Sequence, residues 1–327
     1  MTSSRKQAAQ RLVAVPVSAT PAPSHLLTAL TPPRRFPKPS AVLELLKPVT
    51  WFAPMWALAC GVVSSGIPIL SHWPAIVGAI LLSGPFVCGT SQAANDWYDR
   101  HVDAINEPER PIPSGRMPGR FGLYIAIAWT CVSLAIGAAL GSWVLVAACV
   151  GLILAWAYSA PPLRLKLNGW WGNSAVGLCY EGLPWFTGAA ALAHHLPDRR
   201  IVCLALLYSL GAFGIMVLND FKAVEGDTKL GIRTLPVQFG VRLAAILACV
   251  VMAFPQVWAF LLLWSQGAFF LAKVLAALIA AQLVAMPFLV REPRKRAPLY
   301  NATGTTFFVA GMMVCAFAMR ALLTAGS

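Results

Sequence analysis

PAIVGAILLSGPFVCGTSQAANDWYDRHVD, residues 74–103, is an apolar run that ends in acid. No charged residue occurs from Pro74 to Asn95, and three aspartates follow within the next eight positions. About 20 uncharged, mainly apolar residues suffice to cross a bilayer as a helix. Carboxylates at the end of such a helix are costly unless they are paired or hold a cation. The stretch therefore predicts a membrane-spanning helix that delivers acidic chemistry to one face of the membrane.

The rest of the chain extends the pattern. Hydrophobic residues make up 58% of 327 positions and charged residues 11%. A soluble domain carries about 25% charged residues, so lipid must solvate most of this surface. The predicted fold is an all-α polytopic membrane protein of about nine transmembrane helices around a central cavity. Spans are expected near 49–70, 74–95, 119–139, 142–160, 174–195, 201–221, 239–262, 267–290 and 300–323. With nine spans and a cytoplasmic N-terminus, 21 of the 25 Lys and Arg residues fall on the cytoplasmic side. That bias satisfies the positive-inside rule and supports the count, so the net charge of +13 reflects topology and anionic ligands and not nucleic acid. Residues 1–40 are rich in Pro, Ser and Ala, basic and free of acids. They read as a disordered tail, with an organellar transit peptide as the other reading; residues 41–327 form the membrane domain. The eight cysteines are isolated, in or beside apolar spans, and read as helix-packing filler.

Twelve acids exist, and eight lie in two short segments. Asp96, Asp99, Asp103, Glu107 and Glu109 follow span 2; Asp220, Glu225 and Asp227 follow span 6. On a helical continuation Asp96, Asp99 and Asp103 share a face. Carboxylates pointing together repel unless a divalent cation sits among them, and oxygen ligands without His or Cys suit Mg²⁺. Asp220 and Asp227 are seven apart, the spacing for facing the same cavity from another helix. Both segments open Asn-Asp and place an Asp seven positions on, which suggests a weak four-helix repeat with facing acidic loops. Two such clusters suit two Mg²⁺ ions on one diphosphate. Basic residues interleave: Arg100, Arg110, Arg116 and Arg120 with the first cluster, Lys222, Lys229 and Arg233 with the second, Arg164 and Lys166 after span 4. Some anchor the topology, and the others complete a phosphate cradle.

NDWYDRHVD (95–103) resembles the NDxxDxxxD motif of the UbiA-type intramembrane prenyltransferases, and NEPERPIPSGR (106–116) resembles its extension in chlorophyll and bacteriochlorophyll synthases. NDFKAVEGDTKLGIRTLP (219–236), YSAPPLRLKLNGWWGN (158–173) and YEGLPW (180–185) are similar to the same subgroup, so the resemblance spans about residues 40–323. Ala223 stands where many superfamily members carry a further Asp, an acid that the tetrapyrrole branch also tends to lack. The resemblance implies that Asn95, Asp99, Asp103, Asp220 and Asp227 bind Mg²⁺, with Asp96 an additional member. It also implies that Arg110, Arg116 and Lys166 hold diphosphate and that Tyr158 faces the diphosphate or the allylic cation. The implied reaction joins geranylgeranyl or phytyl diphosphate to the propionate of a chlorophyllide or bacteriochlorophyllide. Its implied setting is a bacterial inner or photosynthetic intracytoplasmic membrane, among other pigment-synthesis membrane proteins.

The same acids would serve a prenyltransferase for a quinone precursor or haem. A phosphotransferase for CDP-alcohols would need a DGxxAR core, which is absent. A transporter with an acidic cation relay would carry its acids near mid-membrane, not at span ends. His101 reads as a surface imidazole, and His194 and His195 mark a span end. Trp170, Trp171 and Trp185 read as interfacial anchors or as the wall of a flat tetrapyrrole site.

Overall fold

The computed structural model describes residues 36–325, and those residues are helical almost throughout. Residues 1–35, most of the expected tail, lie outside the described residues. The chain enters with α1 (Pro39–Leu46), and a turn at Lys47, in the left-handed region at φ 48°, leads through Pro48–Trp51 into α2 (Phe52–Ser64). The first span thus begins ten residues before the apolar run does. α3 (Trp73–Leu81), a π turn (Leu82–Cys88) and α4 (Gly89–Asn106) form one rod that carries the opening stretch of sequence. α5 (Phe121–Leu140) and α6 (Ser142–Ser159) are joined by Gly141 alone, at φ 129°, a conformation that favours glycine.

α7 (Gly169–Gly177), a second π turn (Leu178–Gly182) and α8 (Leu183–Ala193) follow, then α9 (Arg199–Asp220). Asn168 caps α7 by accepting from Trp170 N at 2.9 Å, and Asp198 caps α9 by accepting from Arg200 N at 2.8 Å. The short α10 (Val224–Leu230) and α11 (Leu235–Phe239) precede the long α12 (Val241–Ser265), α13 (Phe269–Arg291) and α14 (Pro293–Ala325).

Among the described residues eight helical segments are long and apolar enough to cross a membrane, one fewer than expected. The run 174–195 is helical from Gly169 to Ala193 but is not among the eight. Its polar Asn173, Ser174 and Glu181 dilute the apolar stretch, and it is packed deep within the protein. The other eight expected spans each coincide with one of the eight segments.

Helix contacts close a ring. α4 packs on α5 and α6, α6 on α8, α7 on α9, α9 on α12, α12 on α13, α13 on α14, and α14 returns to α2. α2 and α8 approach most closely through glycines: a side chain at Gly61 would overlap the Trp185 carbonyl, and one at Gly188 the Leu58 carbonyl. Small residues permit such backbone approach where lipid offers no hydrophobic drive between helices. The outward faces carry exposed apolar side chains, such as Phe270, Val284 and Ile153, as lipid-facing surface requires.

Candidate active site

The ring encloses a cavity of about 490 Å³ walled by the Pro48–Trp51 turn, α2, both π turns, α4, α6, α7, α8 and α9. Most of its lining is apolar, including Leu82, Val87, Ala147, Leu154, Val176 and Leu183. At one end stand Asn95, Tyr158 and Asn219. Val49 and Phe52 also line it while remaining 87% and 65% exposed, so the cavity opens sideways beside the start of α2.

The first acidic segment stays helical to Asn106, as its spacing predicts, yet its carboxylates divide between two edges of the helix. Asn95 donates to Asp99 Oδ2 (3.0 Å) and to Ser159 Oγ (3.1 Å), and Lys166 holds both oxygens of Asp99. Along the other edge Arg110 Nη1 bridges Asp103 (2.9 Å) and Asp96 (3.3 Å), and Arg110 also pairs with Glu107. Asp96 is 1% exposed and receives Lys47 Nζ at 2.7 Å. Its Oδ1 lies beside two cations, away from the cavity lining, while its Oδ2 is buried without a partner. The three acids therefore do not share one partner, although Asp103 stays within electrostatic reach of both Asp96 and Asp99. A difference of three positions turns a side chain by roughly 60° from exact alignment, enough for different neighbours to claim each carboxylate.

The second segment is built otherwise. α9 ends at Asp220, a turn closed by Ala223 N on Asp220 O (3.0 Å) interrupts it, and Asp227 lies on α10. One uninterrupted helix carrying Asp220 and Asp227 is thus not what forms. Asp220 accepts from Asn173 Nδ2 (3.2 Å) and Asp227 from Thr234 Oγ1 (3.2 Å), and no ion pair reaches either among the described residues. Burial raises the Asp227 carboxyl above the ordinary carboxylate range, with Thr234 opposing it. Glu225 turns away to Arg294 at 3.3 Å.

A short parallel bridge ties the second loop to the one after α6: Gly169 N donates to Arg233 O and Arg233 N to Leu167 O, each at 2.9 Å. The loop after α6 presents Arg164 and Lys166. Arg164 is itself left-handed at φ 40°, and its Nε is buried without a partner. Burial lowers the Lys166 pKa from its ordinary value, against the pull of Asp99. Arg116 is engaged elsewhere, with Glu44 (Nη2 to Oε1, 2.7 Å), and Lys222 is exposed. His101, His194 and His195 are exposed, as read from sequence.

Among the described residues no three His, Cys, Asp or Glu side chains converge as a self-sufficient metal site. The donor set still fits a hard cation: Asp220 and Asp227 are carboxylates met only by neutral donors, and Mg²⁺ takes much of its shell from water and substrate phosphate. Sequence reading missed Asn173, Ser159, Thr234, Gln92 and Tyr180. Asn173, Thr234 and Tyr180 lie inside strings that carried the family resemblance, and Asn219 repeats the Asn-Asp pair of Asn95-Asp96; Ser159 also falls in such a string, and Gln92 had no signal. Trp185 fits neither reading given to it: it is fully buried, stacked on Tyr208, and donates to Ser64 Oγ at 2.8 Å. Trp170 and Trp171 are 42% and 66% exposed.

Comparison with known proteins agrees with this architecture. The model of the UbiA prenyltransferase family matches residues 47–321. The chain is similar to the bacteriochlorophyll synthase 33 kDa chain of Cereibacter sphaeroides, 56% identical over 290 residues, which cover 89% of this chain and 96% of that one. It is also similar to the chloroplastic chlorophyll synthase of Oryza sativa, 39% identical over 289 residues, covering 84% and 76% respectively. In fold it resembles a solved UbiA homolog from Archaeoglobus fulgidus bound to GPP and Mg²⁺, with a TM-score of 0.63 at 23% identity, covering 84% of this chain and 99% of that one.

Proposed function

The chain belongs to the UbiA prenyltransferase family, and from that premise we propose that it carries out the bacteriochlorophyll synthase reaction, esterifying the propionate of a bacteriochlorophyllide with a C20 prenyl diphosphate. It is a multi-pass integral membrane prenyltransferase. The observation that carries the reading is the cavity, mainly apolar within and bordered by the acid-bearing helix ends. A molecule with a long hydrocarbon tail and an anionic head matches that gradient.

In this reading Asn95, Asp99, Asp103, Asp220 and Asp227 hold Mg²⁺, which supplies positive charge to the diphosphate oxygens. Asp96 belongs with Lys47 and Arg110 as their counter-ion. Arg164, with its unpartnered buried Nε, and Lys166 bind the diphosphate. Arg110, already gripping Asp103, lies ready to share that work; Arg116 and Lys222 contribute long-range charge only. The Tyr158 ring, lining the cavity at its polar end, faces positive charge that develops on the allylic carbon. The C1–O bond breaks with its electron pair going to diphosphate, and the carboxylate oxygen forms the new bond to C1. The propionate is already ionised at neutral pH, so no side chain need remove a proton. Positioning and electrostatic stabilisation are the protein's share of the chemistry.

The protein resides in a bacterial photosynthetic membrane with both acidic loops on its cytoplasmic face. The test is an assay of purified protein with Mg²⁺, chlorophyllide and bacteriochlorophyllide, each against geranylgeranyl and phytyl diphosphate. Esterified bacteriochlorophyllide is the expected product. Turnover of a quinone precursor with neither pigment accepted would overturn the assignment of the acceptor.

A further inference from the structure

YEGLPW (180–185) is a string that the metal–diphosphate chemistry leaves unused, and its first residue lies in the cavity wall. Tyr180 belongs to the second π turn, Leu178–Gly182, and Cys88 closes the first, Leu82–Cys88. The two turns bring these residues together in the cavity wall: Tyr180 Oη accepts from Cys88 Sγ at 3.5 Å and from Gln92 Nε2 at 3.1 Å. Cys88 touches Thr50 Oγ1 at 3.4 Å, and Thr50 donates to Lys47 O at 2.8 Å. All four side chains line the cavity, so a polar girdle crosses walls that are otherwise mainly apolar. π turns cost regular hydrogen bonding and recur where a side chain must be re-aimed for function.

The girdle's depth is informative. Gln92 precedes Asn95 by three residues on α4, about 4.5 Å further into the cavity at the helical rise of about 1.5 Å per residue. A displacement at C1 of a prenyl diphosphate held beside Asn95 requires its nucleophile on the side of C1 away from the leaving oxygen. With the diphosphate at Asn95 and the chain running into the cavity, as proposed above, the girdle is the polar group deeper along that wall. With Gln92 donating to its lone pair, the Tyr180 hydroxyl keeps its own proton for a ligand, and a carboxylate oxygen is the acceptor such a proton suits best.

We infer that Tyr180, set by Gln92 and Cys88 between the two π turns, donates its hydroxyl proton in a hydrogen bond to the carboxylate of the prenyl acceptor and so orients the attacking oxygen. This rests on the acceptor being a carboxylate, as proposed above. No proton is transferred: the hydrogen bond weakens when the charged carboxylate becomes a neutral ester, which favours product departure.

The experiment compares wild type with Tyr180→Phe in the full chain, using bacteriochlorophyllide as substrate and its propionate methyl ester as a non-reacting competitor. Wild type is expected to bind the acid more tightly than the ester. Tyr180→Phe is expected to raise the acceptor KM about 10- to 100-fold, the range for a hydrogen bond to a charged group, and to abolish that preference. The KM for prenyl diphosphate should stay within about twofold, since Tyr180 lies below the diphosphate end. An undiminished acid-over-ester preference in Tyr180→Phe, or a parallel rise in the KM for prenyl diphosphate, overturns the inference. If Tyr180→Phe does not fold, Gln92→Leu reads the same interaction by freeing the tyrosine oxygen: a smaller rise in acceptor KM alone supports it, and an unchanged acceptor KM overturns it. A wild type that turns over no pigment at all removes the function reading, and this assignment falls with it.

Discussion

The two Asn-Asp segments start from nearly the same spacing and end as different devices. In the first, 95–103, the helix runs on and the chain supplies its own counter-charges: Lys166 on Asp99, Arg110 on Asp103, Lys47 and Arg110 on Asp96. In the second, 219–227, the helix breaks after Asp220, and Asn173 and Thr234 offer only neutral hydrogen bonds. Equal spacing in sequence therefore does not mean equal ligation. Every carboxylate of the first segment has a cation at hand, although Asp96 keeps one buried oxygen, Oδ2, without a partner. The second, in the proposed reading, offers its carboxylates to a cation without a side-chain cation competing for them. A carboxylate buried beside neutral donors costs more than one beside a guanidinium, and an arriving cation offsets that cost.

That contrast can be broken most forcefully by removing an acid from each side. Asp99→Ala with Asp220→Ala should reduce turnover by at least about 10³-fold, as expected for losing metal and electrostatic stabilisation together. Retained activity in steady-state assays would falsify the metal–diphosphate site. Next in size is Asp220→Asn alone, expected to lower activity about 100-fold and to weaken the apparent Mg²⁺ affinity, measured by metal titration. Lys166→Met should act on substrate instead, raising the KM for prenyl diphosphate about 10- to 100-fold while the Mg²⁺ requirement moves little. If metal and substrate titrations respond identically to these two changes, the separate roles proposed for Asp220 and Lys166 are wrong.

Asp96→Asn sharpens the same comparison from within the first segment. It leaves Lys47 without a buried counter-charge and Arg110 with only Asp103 and Glu107, and should lower stability by about 1–3 kcal/mol, seen as an earlier thermal transition in detergent, with Mg²⁺ affinity within about twofold of wild type. A large loss of metal affinity would return Asp96 to the ligand set. Smallest is Arg116→Ala, whose bond to Glu44 joins two exposed side chains; exposed pairs contribute about 0–1 kcal/mol, and activity should change less than about threefold.

The parts of this molecule visible from the chain alone are those governed by one-dimensional rules. A run such as 74–95 cannot be exposed to water, so its transmembrane character needs no partner to be known. Pro161-Pro162 stop α6 at Ser159 wherever that helix sits. The continuation of α4 to Asn106 follows from its spacing, and the acids' place at helix ends follows from the cost of charge in lipid. The 169–193 segment shows where hydropathy gives out, because a helix shielded by neighbours can carry Asn173 and Glu181. Trp185 shows it again, since stacking on Tyr208 depends on α9 lying alongside α8.

Hydropathy and charge order are properties of each segment against its solvent, and they suffice for a membrane body with acids at one end. Which carboxylate meets Lys166, which meets only Asn173, and which wall brings Tyr180 to Gln92 are properties of pairs 67, 47 and 88 residues apart. Such pairs exist only once close-packed helices have chosen their neighbours, because a turn of about 100° per residue lets one position of difference assign a side chain to another partner.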